Sequence, residues 1–309
     1  MDFEVLQSQI CKMKNPTVAG LDARLEYVPP QIVKACNEQY GAGLESAVEA
    51  IYRFNCGLMD ALCDIVPAVK PQSAYYELLG WRGMEMLERT IQYAKSKGFF
   101  VIADVKRGDI GSTAQAYAEA WLGKTDVGAA DKVSCFGADC VTINGYMGSD
   151  SIAPFLDVAK QEGKCVFVLV KTSNPSSGEL QNMVAGDRQV YNVMGDLTQR
   201  LGKDTASAGF GYQRIGAVVG ATYPAEMREL RRRLEKTFFL VPGYGAQGGT
   251  AQDVQYAFDH YGRGAIVNSS RGIMCAWQKT GKNGEDYAEA ARAAAIAMRD
   301  DIKKYVTIV

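Results

Sequence analysis

Residues 99–113, FFVIADVKRGDIGST, contain the pattern that decides the fold, an apolar run that ends in charged side chains. Similar apolar runs, rich in Val, Ile and Phe, recur along the chain and are followed by polar or charged residues or by glycines. The eight runs are TVAGLD (17–22), DIVPAVKP (64–71), FFVIADVK (99–106), DCVTIN (139–144), CVFVLVKT (165–172), RIGAVVGAT (214–222), FFLVPG (238–243) and GAIVNS (264–269). Parallel strands that are buried on both faces have this composition.

Amphipathic stretches separate these runs, among them GLESAVEAIYRFNCGLMDAL (43–62) and PAEMRELRRRLEK (224–236). Eight strand–helix units predict a single (β/α)8 TIM barrel, and we expect residues 1–309 to form one domain. A doubly wound open sheet is the alternative. It would place its glycine-rich turn after the first strand, whereas the first run here ends in Asp22 and the glycine-rich turn follows the seventh run. The order therefore favours the barrel.

The stretch 174–213 is long for one crossover between neighbouring strands. Its middle, DRQVYNVMGDLTQRL (187–201), has a helical pattern, so we expect an extended loop with a helical insertion. In a barrel this stretch would stand at the mouth, where long loops act as lids. A surface embellishment is the other interpretation, and the sequence leaves both open.

Charge and composition exclude several classes of protein. The net charge of −1 gives no overall positive footprint for nucleic acid, and Arg231-Arg232-Arg233, set among glutamates, is predicted to be a solvated helix face. The single histidine, His260, excludes HExxH and other multi-histidine metal sites, and we expect it at a helix end. Eight cysteines without a CxxC pair, and no leader or long apolar span, predict a cytoplasmic protein that does not bind membranes.

The sharpest cluster of chemical groups lies in the segment ADVKRGDIGST (103–113). Asp104 and Lys106 are two residues apart on a predicted strand, so their side chains share a face about 6.6 Å apart along it. Asp109 follows in a loop, and Lys70 ends the neighbouring strand. Two ammonium and two carboxylate groups can form an alternating network, which keeps a lysine charged. Such a lysine can stabilise and protonate a carbanion, whereas an imine-forming lysine needs a lowered pKa.

The second cluster combines PGYGAQGG (242–249) with SSRG (269–272). These loops follow the seventh and eighth predicted strands, where barrel enzymes commonly bind phosphate. Glycine amides, the Gln247 side chain and the Arg271 guanidinium supply hydrogen-bond donors. The two loops together predict a phosphate site.

These motifs, in this order, resemble those of the orotidine 5′-phosphate decarboxylase family, in its larger bacterial-type subgroup. The resemblance rests on GLD (20–22), VKP (69–71), DVKRGDIGST (104–113), KTSNP (171–175), PGYGAQGG (242–249) and SSRG (269–272). It implies a homodimeric TIM barrel that needs no cofactor and no metal. It also implies conversion of orotidine 5′-phosphate to UMP and CO2 in de novo pyrimidine synthesis.

The resemblance also assigns roles to residues. Lys106 would stabilise and protonate the carbanion at pyrimidine carbon 6, and Asp104 would lie against the departing carboxylate. Asp109 would complete the charged network and, with Thr113, would reach the partner subunit's site. Lys70 would belong to the same catalytic network. The substrate-binding set would be Asp22 and Lys70 at the ribose, Ser173 at the pyrimidine, and Pro242, Gly243, Gly245, Gln247, Ser270 and Arg271 around the phosphate.

Two other functions remain open from the sequence. One is a different enzyme on a phosphate-binding barrel, such as a sugar-phosphate aldolase or epimerase, which would use the same acids and lysine. The other is a non-catalytic nucleotide-binding module, which the phosphate loops alone would support but which leaves the cluster around Lys106 unexplained.

Overall fold

Eight parallel strands close into a barrel in the computed structural model, which describes residues 1–309. Each strand pairs with the next, and the last pairs with the first. The strands are β1 (Thr17–Leu21), β2 (Ala68–Pro71), β3 (Phe100–Arg107), β4 (Cys140–Ile143), β5 (Cys165–Lys171), β6 (Ile215–Val219), β7 (Phe239–Val241) and β8 (Ala265–Ser269). The predicted TIM barrel is therefore confirmed, and the open sheet is wrong.

Helices alternate with these strands and surround them. They are α1 (Phe3–Met13), α2 (Pro30–Tyr40), α3 (Leu44–Leu62), α4 (Ser73–Glu77), α5 (Gly80–Ser96), α6 (Gly111–Trp121), α7 (Ser149–Gln161), α8 (Gly178–Gln181), α9 (Val190–Gly202), α10 (Pro224–Arg233), α11 (Ala251–Val254), α12 (Arg271–Met274) and α13 (Tyr287–Ile302). None of them is both long and apolar enough to cross a membrane.

The strands begin and end close to the apolar runs. The largest difference is in the run 64–71, where the strand begins only at Ala68. Pro67 immediately precedes the strand, and a proline has no N–H to donate to a sheet ladder. Inside the barrel the strands are buried almost throughout, and they belong to one contiguous apolar core. Buried strands of this kind hold the loops at their carboxyl ends in fixed positions.

The long crossover between β5 and β6 has two parts. Its second half is α9, which packs on both of these strands and confirms the helix predicted in 187–201. Its first half contains a 3-10 turn (Pro175–Ser177), α8, and a short hairpin of Val184–Ala185 with Arg188–Gln189. Only residues 172–175 of this region line the mouth of the barrel. A lid role stays a prediction.

Arg231 corrects the prediction that the arginine tract is a solvated face. Its side chain is buried, and its guanidinium donates to four backbone carbonyls. Nη1 lies 3.3 Å from the oxygens of Ala257 and Gly264, and Nη2 donates to those of Thr237, at 2.8 Å, and Leu234. The carbonyls of Thr237 and Gly264 lie just before β7 and β8, so Arg231 links the amino ends of these two strands. Arg's planar fork of donors suits this task.

His260 also differs slightly from expectation. It lies in a turn three residues beyond the 3-10 segment Gln255–Ala257, not at the last residue of a helix. The chain bends there because the Asp259 carboxylate accepts hydrogen bonds from the amides of Tyr261 and Arg263. These bonds replace helical ones and end the helix early.

Arg231→Met should lower the free energy of unfolding by roughly 3 kcal/mol or more, because four buried carbonyls lose a charged donor. Urea denaturation measures this loss. The matched control is Arg232→Met, which changes the neighbouring exposed arginine and should stay within about 0.5 kcal/mol of the wild type. Equal effects of the two substitutions would contradict the role given to Arg231.

Candidate active site

A cavity of about 1410 Å³ opens where the carboxyl ends of the strands meet. In a TIM barrel this is the end that carries the functional loops. The sequence-predicted site residues that line it are Asp22, Lys70, Asp104, Lys106, Ser173, Pro242, Gly243, Gln247, Ser270 and Arg271. The fold thus brings together side chains from strand ends that are far apart in the sequence.

Four charged groups form an alternating array on one wall of this cavity. Asp22 Oδ1 lies 3.9 Å from Lys70 Nζ, and Lys70 Nζ lies 2.8 Å from Asp104 Oδ2. On the other side of the same carboxylate, Asp104 Oδ1 accepts from Lys106 Nζ at 2.6 Å. Side chains of opposite charge alternate along the array, so each interior charge has a partner on both sides.

Two further side chains complete the shell around Asp104. Gln72 Nε2 donates to Oδ2 at 3.0 Å, and the Thr142 hydroxyl donates to Oδ1 at 2.8 Å. Sequence reasoning missed both residues. Their positions at strand ends could have identified them as site residues, since Gln72 follows Lys70 by two residues and Thr142 lies in β4 beside β3. With four donors, the carboxylate has one rotameric position that satisfies all its partners.

The array fixes the charge states of its buried members. Burial would raise the pKa of Asp104, but the ammonium groups of Lys70 and Lys106 outweigh it and lower that pKa well below its usual range. Burial likewise opposes the charge of Lys70, yet the carboxylates of Asp104 and Asp22 leave its pKa raised. Both groups are therefore ionised at neutral pH.

Lys106 itself has an unusual backbone. Its φ angle is +47°, in the left-handed region that side chains other than glycine seldom occupy. The pairing of β3 with β4 shifts register between Ala103 and Arg107, and the Lys106 amide donates to Thr142 Oγ1 at 3.0 Å instead of to a ladder carbonyl. Backbone strain of this kind concentrates at functional sites. Here it turns the Lys106 side chain toward the cavity, where it remains about half exposed.

Asp109 does not join the array within its own chain, which corrects the four-membered network drawn from spacing. Its Oδ1 accepts from the amide of Ile110 at 2.8 Å, and Asp22 occupies the corresponding place beside Lys70. Thr113 is exposed in the first turn of α6. Neither Asp109 nor Thr113 lines the cavity, and neither does Gly245. Spacing along one strand could not show that Asp22, from the first strand, is the nearer carboxylate.

The loop after β7 is a tight turn that requires glycine. Gly243 has a φ of +99°, and a Cβ there would come within 3.2 Å of the Ser173 Cβ atom. Its carbonyl accepts from the amide of Gly249 at 3.0 Å, which closes the turn. Across the cavity mouth, the Ser173 hydroxyl donates to Gln247 Oε1 at 2.7 Å. This contact joins the loop after β5 to the loop after β7.

The loop after β8 supplies a free cation. Arg271 begins α12, is exposed and forms no ion pair, so its guanidinium is available to an anion. Ser270 precedes it and packs against β1, where a Cβ on Gly20 would lie 1.9 Å from the Ser270 hydroxyl. Glycine at position 20 therefore lets the two strand ends approach. The Gln247 side chain and the Arg271 guanidinium, two of the predicted phosphate donors, thus line one cavity.

No group of three or more His, Cys, Asp or Glu side chains is arranged to hold a metal ion. The array can instead hold an ammonium in place beside a bound anion, which is the geometry that electrostatic stabilisation of a carbanion requires.

Comparison with known proteins places the chain in a family. The model of the "Orotidine 5'-phosphate decarboxylase / HUMPS family" matches residues 53–283. The orotidine 5′-phosphate decarboxylase of Rhodopirellula baltica is 41% identical over 302 residues, which cover 96% of this chain and 97% of that protein. The enzyme of the same name from Clostridium perfringens strain SM101 is 40% identical over 295 residues, covering 95% and 96%.

Solved structures give the same answer. The structure of Leishmania donovani OMP decarboxylase has a TM-score of 0.71 and is 27% identical, covering 97% of this chain and 99% of that one. The structure of Leishmania donovani UMP synthase has a TM-score of 0.76 and is 29% identical, and the match covers 99% of this chain and 56% of that longer one. Matched family residues, full-length relatives and the shared barrel agree, and the chain belongs to the orotidine 5′-phosphate decarboxylase / HUMPS family.

Proposed function

We propose that this protein decarboxylates orotidine 5′-phosphate to UMP and CO2, the closing step of de novo pyrimidine synthesis. The observation that carries the proposal is the Lys106 ammonium, held 2.6 Å from Asp104 at the mouth of the barrel. The relatives that match this chain over nearly its whole length are named orotidine 5′-phosphate decarboxylase. The family resemblance assigns no cofactor, so the stabilisation of the carbanion falls to the side chains of the site.

The substrate would bind along the cavity with its phosphate at the two loops after β7 and β8. Arg271 and Gln247 would bind the phosphate, with Gly243, Gly245, Pro242 and Ser270 forming the cradle around it. This placement is supported by the unpaired guanidinium of Arg271 and by the tight glycine turn at Gly243.

The remaining substrate contacts would lie elsewhere along the same cavity. Asp22 and Lys70 would bind the ribose hydroxyls, and Ser173 would contact the pyrimidine. The Ser173–Gln247 hydrogen bond supports this arrangement, because it joins the loop after β5 to the loop after β7. Phosphate binding far from the reacting carbon can then help close the site.

In the chemical step, the bond between pyrimidine carbon 6 and its carboxylate breaks, and CO2 leaves. The electron pair stays on carbon 6 as a carbanion that the ring delocalises poorly. Lys106 then donates one Nζ proton to carbon 6, which gives UMP, and the neutral amine regains a proton from water. An ammonium already fixed near the developing charge stabilises it without reorganising at the moment of reaction.

The array explains why Lys106 suits this role. Asp104 holds the ammonium in place and would lie against the departing carboxylate. Lys70 keeps Asp104 ionised, so the carboxylate does not take up the proton that the carbanion needs. A cation positioned in this manner is worth a factor of about a hundred to ten thousand in rate as a proton donor.

The two alternatives have less support. An aldolase that forms an imine needs a lysine whose amine is free to attack a carbonyl, whereas the Lys106 Nζ atom is held in an ion pair 2.6 Å from Asp104. A nucleotide-binding module would give no reason for the left-handed backbone at Lys106 or for the four donors around Asp104.

We infer further that residues 1–309 act as one domain in a cytoplasmic homodimer with shared active sites. One contiguous apolar core supports the single domain, and eight free cysteines fit a reducing compartment. The position of Asp109 and Thr113 outside their own cavity supports the shared site, because there they can face a partner's cavity.

Lys106→Ala should lower kcat by at least about a thousandfold, because it removes both the stabilising charge and the proton donor. Loss of orotate ultraviolet absorbance measures turnover, and calorimetric titration with UMP should show that nucleotide binding persists. The control is Lys160→Ala, an exposed lysine of α7, which should keep wild-type turnover. Near-native turnover by Lys106→Ala would remove the proposed mechanism.

Mixing Lys106→Ala with Asp109→Ala subunits tests the shared site. Each homodimer should be inactive, whereas a mixed dimer has one doubly damaged site and one intact site. With random exchange, about a quarter of wild-type activity should return. Verified subunit exchange without any recovery would count against sharing.

Asp104→Asn should lower the free energy of unfolding by about 3 kcal/mol at neutral pH, since it leaves Lys70 buried beside a neutral group. The pKa of Asp104 is lowered by folding, so its stabilising effect is complete above the unfolded pKa of about 3.9 and is lost as the pH falls below it. Urea denaturation should therefore show a wild-type advantage that is constant from about pH 6 to 8 and shrinks below about pH 4. An advantage that grows on acidification would contradict the charge assignment.

A further inference from the structure

Lys171, at the last position of β5, is a fully buried lysine with no carboxylate partner. It forms no ion pair, in contrast to Lys70 and Lys106, and it does not line the cavity. Burial lowers the pKa of its ammonium, and Glu226 opposes this only in part. Burying an ammonium without an anion is costly, so the contacts that compensate it indicate what the residue does.

Three neutral groups surround the Lys171 ammonium. Nζ donates to Asn182 Oδ1 at 2.9 Å and to Ser177 Oγ at 3.2 Å. It also lies 4.1 Å from the centre of the Tyr223 ring, within range of a cation–π interaction. These partners come from two parts of the fold, since Ser177 and Asn182 flank α8 in the long crossover and Tyr223 precedes α10. One ammonium therefore ties the start of the long crossover to the barrel.

The segment that Lys171 holds is closed on itself by further bonds. The Thr172 amide donates to Gln181 Oε1 at 2.9 Å, and Gln181 Nε2 donates to the Thr172 hydroxyl at 2.7 Å. Tyr223, the residue whose ring faces the Lys171 ammonium, donates its hydroxyl proton to the Asn174 carbonyl at 3.1 Å. Residues 172–182 thus form a compact loop whose two ends meet at Lys171.

Ser173 lies inside this loop and has little room to move. A Cβ on Gly220 would come within 2.7 Å of the Ser173 Cα atom, so the Ser173 backbone packs directly on the end of β6. Its hydroxyl makes the 2.7 Å contact with Gln247 Oε1 that spans the cavity mouth. A shift of the loop by a fraction of a hydrogen-bond length would break that contact.

We propose that Lys171 is a positioning residue for the decarboxylation, which anchors the 172–182 loop so that Ser173 meets the base and Gln247 together. The inference rests on the proposed function, and it adds a residue that touches no substrate. Lys171 acts through hydrogen bonds to neutral oxygens and an aromatic face, so it holds the loop without bringing a further carboxylate to the site.

Lys171→Met tests this, because it keeps an unbranched side chain only one atom shorter and removes the donors and the charge. We expect kcat/KM for orotidine 5′-phosphate to fall by at least about tenfold, the effect of losing a charge-assisted hydrogen bond. The decisive measurement is the double-mutant cycle with Ser173→Ala. If both residues act through one contact, the double variant should match Ser173→Ala within about twofold.

Lys164→Met is the matched control. Lys164 is the other buried lysine of this strand region, directly before the first residue of β5 and at the opposite end of the barrel. Its replacement should leave kcat/KM unchanged. A second variant, Asn182→Ala, removes an acceptor of Lys171 outside the cavity and should lower kcat/KM in the same direction, which keeps the test decisive if Lys171→Met does not fold.

The outcomes separate the two proposals. If the wild-type protein does not decarboxylate orotidine 5′-phosphate, the proposed function itself is overturned. If the wild type is active and Lys171→Met keeps the same kcat/KM, the positioning role alone is overturned. Where Lys171→Met does not fold, an unchanged kcat/KM in Asn182→Ala has the same meaning. Losses that multiply in the double variant would do the same, because independent effects mean that Lys171 does not act through Ser173.

Discussion

The Asp104 carboxylate lies between two ammonium groups, and the chemistry proposed for the cavity depends on that contact. Lys70 makes the ionised carboxylate stable in a buried place, and the carboxylate in turn fixes Lys106 at the cavity surface. Lys70 depends on this carboxylate most, because burying an ammonium without an anion is costly. Gln72 and Thr142 satisfy the remaining lone pairs, so the carboxylate leaves no acceptor unused.

The barrel provides the rigidity that this contact needs. Asp104, Lys70 and Thr142 stand on three neighbouring strands whose backbones are buried on both sides. The loops after β5, β7 and β8 then complete the cavity, with Ser173 and Gln247 bonded across its mouth. Rigid strands hold Lys70, Asp104 and Lys106, whereas Ser173, Gln247 and Ser270 stand on loops that follow strands.

Much of this could be predicted from the sequence, since apolar runs ending in charged residues are set by local composition. The eight strands, the helix in the long crossover and the pairing of Asp104 with Lys106 follow from periods of two and of about 3.6 residues. The pairing of Asp22 with Lys70 and the buried position of Arg231 could not be predicted from spacing along the chain. Both depend on which distant segments the barrel brings together. The sequence around Arg231 does not show that its guanidinium donates to four backbone carbonyls, because these belong to other segments or to the turn after the helix.

The central claim is that a fixed ammonium, with no exchangeable metal, carries the decarboxylation. The most direct test is to add the purified protein to orotidine 5′-phosphate in excess EDTA, following the loss of orotate absorbance and identifying the product by chromatography. We expect complete conversion to UMP at a rate that EDTA does not change. Folded protein that leaves orotidine 5′-phosphate unconverted, or that loses its activity to the chelator, would contradict it.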